Sequence, residues 1–137
     1  MMRLWIPPPT RRREAVRALW LLSIVVVIVG SVLPADSLAI RTLDRLPVTD
    51  KIEHTAMYAV LAFLPAIYER RSVVITAAAG AIALGVALEF VQRLSGWRQF
   101  EIGDMVADAI GVCLGLAFGV AARTRLPLRT AAPDRAR

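Results

Sequence analysis

Among 137 residues there is one cysteine and one histidine. A disulfide framework is therefore excluded, and the zinc sets built from several cysteines and histidines have no basis here. Cys113 is expected to be a small buried apolar residue of the last helix. The chain has no serine-nucleophile motif, no glycine-rich phosphate loop and no internal repeat. Serine hydrolases, phosphate-loop domains and repeat scaffolds consequently find no support. What the chain has in excess is apolar surface. It is 57% hydrophobic with mean hydropathy +0.57, too apolar for an ordinary soluble domain of this length. The class implied is an all-α membrane protein forming one integral domain.

Four stretches are long enough to matter, at about 15–33, 50–68, 73–94 and 103–122. Each reaches the roughly 17 to 25 residues that cross a hydrocarbon core about 30 Å thick. The second is the weakest, because its uncharged part begins only at Thr55. It spans if its first turn lies at headgroup level. Pro34 ends the first stretch, and Ala35 to Thr49 alternates Leu38, Ile40, Leu43 and Leu46 with Arg41, Asp44 and Arg45. That pattern suits a short segment lying at the interface, closed by Pro47 before Asp50 caps the next helix. Trp20, Tyr68, Trp97 and Phe100 fall near the expected interfaces, where anchoring and ordinary packing are both open to them.

Charge orients the helices. Twelve of the seventeen basic residues lie before the first stretch, between the second and third, or after the fourth, including the arginine-rich tail at 123–137. By the positive-inside rule both termini are cytoplasmic. Eight of the eleven acids then fall at the outer side or just beneath it. The net charge of +6 needs no nucleic acid as partner; membrane lipids suffice. Arg11 to Arg13 before an apolar run also fits a secretory signal with Ser37-Leu38-Ala39 as cleavage site, but the run exceeds the usual ~7 to 15 residue core.

The polar residues inside the stretches are ordered. Asp50, His54 and Tyr58 recur at four-residue spacing on one face, with Lys51 three residues from His54. Glu89 and Gln92 share a face with Gly85, and Asp104 and Asp108 continue into Gly111, Gly115 and Gly119. An ionised group at a helix centre costs ~2.5 to 3.5 kcal/mol on insertion scales, so these groups are expected to face one another. Small residues four apart allow close backbone approach, and Ala77, Ala81 and Gly85 on the third stretch are expected to meet the glycines of the fourth.

Asp50-Lys51-x-x-His54-x-x-x-Tyr58, Glu89-x-x-Gln92, Arg98-x-Phe100-Glu101-x-x-Asp104 and the small-residue helix with Gly111 and Gly115 resemble, in order and spacing, the motifs of the VanZ-like membrane proteins. The resemblance covers about residues 46–123. It implies a multi-pass protein of the cell membrane and cell envelope, in a family whose founding member is associated with low-level resistance to the antibiotic teicoplanin. The family usually has asparagine where this chain has Asp108. A carboxyl there is expected to be protonated or paired with a cation.

Three roles for the cluster Asp50, Lys51, His54, Tyr58, Glu89, Gln92, Arg98, Asp104 and Asp108 follow. It forms an ion-pair network that sets helix register. It binds, without catalysis, the headgroup of an envelope lipid or glycan through Lys51, Arg98 and His54. Or it is a membrane-embedded hydrolase or transferase in which His54 and the acids act as general acid and base or hold a divalent ion. The non-enzymatic binding role is the leading expectation, with no cofactor or metal. A proton-coupled transporter fits less well, since four helices leave little room for alternating access.

Overall fold

A computed structural model describes residues 10–34, 37, 50–96 and 101–125. The segment expected at the interface lies outside the described residues except for Ser37, as do Trp97, Arg98, Phe100 and the tail beyond Arg125. All regular structure among the described residues is helical: α1 (Thr10–Val32), α2 (Asp50–Tyr68), α3 (Arg71–Ser95) and α4 (Ile102–Arg125). Three are long and apolar enough to cross a membrane, namely α1 over Arg11–Val32, α3 and α4. The α1 helix starts before the apolar run, so Arg11, Arg12 and Arg13 are helical rather than a preceding loop.

The central element is α2, packed against the other three helices. Its close partner is α4, because Gly111, Gly115 and Gly119 leave room for α2 backbone. A Cβ on Gly111 would strike the carbonyl of Thr55, one on Gly115 the carbonyl of Ala59, and one on Gly119 the Ala66 side chain. The glycine stripe of α4 therefore meets α2, correcting the expectation that it meets α3. The reason lies in α2 itself, whose Thr55, Ala59 and Ala66 form a small-residue stripe of their own. Cys113 is exposed on the outer surface of α4. It falls about 200° round from Gly111, at 100° per residue, so burial was the wrong expectation.

Val27, Tyr58, Leu61, Ala62, Ala78, Ala81, Leu88 and Val112 form the core where the four helices meet. Large apolar side chains such as Leu21, Val25, Ile75, Ile82, Phe90 and Phe118 cover the exterior, a surface too apolar for water alone. Pro65 lies inside α2 and has no N–H for the Leu61 carbonyl four residues earlier. The Trp20 indole of α1 donates to that carbonyl at 3.0 Å, so Trp20 packs against the bundle and supplies the bond that the proline removes. Gly96 ends α3 with φ +79°, the left-handed conformation of a helix C-terminus.

The candidate site at the acidic end of the bundle

The end at which α2 and α4 begin and α3 finishes gathers most of the candidate residues. Asp50 and Lys51 sit exposed at its rim, and His54 lies beneath them on α2. One turn deeper, Tyr58 is buried, its ring parallel to the His54 ring at a centroid distance of 6.5 Å. From α3 come Glu89 and Gln92, and from α4 Asp104 and Asp108, all four buried and Glu89 only 1% exposed.

Specific bonds hold these side chains. His54 Nδ1 lies 2.8 Å from Asp108 Oδ1. With a neutral imidazole and the carboxylate as acceptor, Nδ1 carries the proton and the Nε2 lone pair faces away from Asp108. The Asp108 carboxyl and the Tyr58 hydroxyl occupy the space beside Gly85, where a Cβ would meet Asp108 Oδ2 and come within 3.1 Å of the hydroxyl. Gly85 thus makes room for the polar cluster rather than for a helix backbone. Lys51 donates to Glu101 Oε2 at 2.8 Å and to Asp104 Oδ1 at 3.0 Å, and its stem crosses Gly103, where a Cβ would lie 2.9 Å from Lys51 Cε. Glu89 Oε2 accepts the Glu101 backbone N–H at 3.1 Å, and Gln92 donates to the Ser31 carbonyl of α1 at 3.1 Å.

The structure therefore unites His54, Tyr58, Glu89, Gln92, Asp104 and Asp108, with Asp50 and Lys51 at the opening. Arg98 lies outside the described residues. Lys51 reaches across to α4, although sequence spacing put it within reach of His54. Glu101 and Ser31 belong to the network but were not singled out as site residues. Glu101 stands one turn before Asp104, a legible signal, whereas the Ser31 carbonyl bears no sequence mark. Asp50, His54 and Asp104 each offer one donor atom within 4.8 Å of the others, a geometry that a divalent ion could use. Asp104 already takes the Lys51 ammonium, which would have to share or leave.

A second polar cluster at the opposite, basic end escaped sequence reasoning. Glu69, in the connection between α2 and α3, is 5% exposed. It receives two bonds from Arg13 at 2.7 and 3.2 Å and two from Arg17 at 2.6 and 3.3 Å. Its carbonyl accepts Arg123 of α4 at 2.8 Å. The two guanidinium groups hold its carboxyl down to about 2, well below the usual carboxylate range. The hint in the sequence was a lone acid between apolar helix and arginine pair, Tyr68-Glu69-Arg70-Arg71.

No protein-family model, no curated protein and no solved structure matches this chain.

Proposed function

We propose that the chain is a four-span, VanZ-like protein of the cell membrane with both termini in the cytoplasm, whose acidic end opens outward and binds the polar headgroup of an envelope lipid or glycan. The observation that carries this reading is the burial of Glu89, Asp104 and Asp108 together beneath a rim of exposed Asp50 and Lys51. Grouping ionisable side chains in an apolar bundle is costly and adds little net stability compared with apolar packing, so a purely structural use is a poor return for it. Intramembrane acids more often mark a site. The fourth span is α2, whose charged first turn is accommodated at headgroup level while its remaining length lies within the bundle. Orientation rests on the arginines at the basic end, and family membership on the ordered motif residues.

Lys51, held by Glu101 and Asp104 yet half-exposed, is the cation positioned to meet an anionic group. His54 beside it, with Nδ1 bonded to Asp108, can accept a hydrogen bond at Nε2 from a headgroup hydroxyl. Such a site binds and orients a headgroup without changing it. The His54–Asp108 pair favours a second reading, since a carboxylate-oriented imidazole is also the arrangement of a general base. In that case the acidic end is a hydrolase or transferase centre.

Replacement of single groups tests the proposal. Glu89→Gln, Asp104→Asn and His54→Ala are expected to accumulate in the membrane yet fail to support glycopeptide tolerance in a deletion strain, with Tyr58→Phe affected more mildly. Membrane abundance by immunoblot is read beside tolerance. Parallel loss of abundance and tolerance would assign the cluster to folding alone, and full complementation by all four variants would remove it as the site.

A further inference from the structure

Away from the acidic end, a groove of about 520 Å³ opens between α1 and α3, with Leu61 of α2 at its floor. Its volume falls within the range of about 300 to 1,000 Å³ typical of small-molecule sites. Along α3 the lining runs from Ser72 to Leu84, a rise of about 18 Å. That is close to half of a hydrocarbon core about 30 Å thick, the depth of one leaflet. Polarity changes along this length. Trp20, Ser72 and Thr76 line the end near the arginines, while Ile24 and Leu84 line the other.

The charge at the mouth points to an occupant. Arg70, which is exposed, precedes Val73 and Ala77 by about one and two turns on the stripe that lines the groove, whereas Arg71, at 100° per residue, falls on the opposite face of α3. Arg13 and Arg17 at the same end are engaged with Glu69. A flexible hydrocarbon chain can follow a slot of this length with its polar end at the arginine. We infer that the groove seats an acyl chain of an anionic phospholipid whose headgroup phosphate is held by Arg70. This site is independent of the acidic end and of the function proposed for it.

Trp20 is the built-in reporter. The full chain carrying Trp5→Phe and Trp97→Phe would be reconstituted in vesicles containing acyl-brominated phosphatidylglycerol or acyl-brominated phosphatidylcholine, and Trp20 quenching measured against the mole fraction of brominated lipid. Stronger quenching by the anionic lipid is expected, with its apparent affinity falling roughly fivefold for Arg70→Gln and little for Arg71→Gln. Gly80→Leu should lower quenching by both lipids, because it fills the groove. A Cβ on Gly80 meets nothing within 4 Å, so the variant has room to fold. Equal quenching by the two lipids, unaffected by Arg70→Gln, would reduce the groove to ordinary lipid contact and overturn the assignment. So would unchanged quenching in Gly80→Leu together with a changed cross-linked oligomer, which would identify a second copy as the occupant.

Discussion

Glu69→Gln is the most direct test of what closes the basic end. Glu69 joins α1 to the α2–α3 connection through two arginines and reaches α4 through its backbone carbonyl, so its side chain ties α1 to this end of the bundle while its backbone ties α4. Its carboxyl is lowered from 4.5 to about 2, which corresponds to about 3 kcal/mol in favour of the ionised folded state. Arg17 is half-exposed, and solvent screening reduces the net value. A loss of roughly 1 to 3 kcal/mol is therefore expected for Glu69→Gln at neutral pH. Because the folded value lies below the unfolded one, this stabilisation is complete above about pH 4.5 and is lost as pH falls toward 2. Reversible unfolding in mixed micelles with increasing dodecyl sulfate, followed by circular dichroism at pH 7, 5 and 3, measures it. The difference between parent and variant should be largest at pH 7 and shrink at pH 3. A difference independent of pH, or no difference at pH 7, would refute the argument. Arg13→Gln should cost less than Glu69→Gln, since Arg17 keeps the carboxylate paired.

Gly115→Leu should sharply reduce the folded fraction in micelles, because its side chain would be driven into the Ala59 carbonyl and overpacking typically costs about 1 to 3 kcal/mol or more. Leu114→Ala, at an exposed position, should stay within about 0.5 kcal/mol; equal effects would place the glycine face against lipid. Trp20→Phe should cost about 1 to 3 kcal/mol in the same unfolding assay, the penalty for leaving a buried carbonyl unsatisfied, and no loss would mean that the Leu61 carbonyl finds another donor. In a Cys113→Ala background, Ser95→Cys should react with an impermeant thiol reagent in intact cells and Ser72→Cys should not; the reverse pattern would invert the proposed orientation.

Much of this architecture can be read from the chain before any coordinates. Apolar length determines the helices, and α2 runs over Asp50–Tyr68 as its pattern predicts. Four-residue spacing places Asp50, His54 and Tyr58 on one stripe, and the cost of polar groups in an apolar bundle turns such stripes inward. Periodicity tells which face of a helix is special but not which neighbour that face meets. Gly111, Gly115 and Gly119 could pack on any small-residue stripe, and α2 and α3 both offer one; only the tertiary arrangement chose α2 and left Gly85 to accommodate Asp108 and Tyr58. The bonds from His54 to Asp108, from Trp20 to the Leu61 carbonyl and from two arginines to Glu69 join residues at least forty positions apart. Their formation depends on helix rotation and depth, which local spacing does not encode. Hydrophobic pattern alone thus determined a helical membrane protein with a polar face, while the pairing of helices decided which polar groups found each other, because a hydrogen bond is made only at short distance and in the right direction.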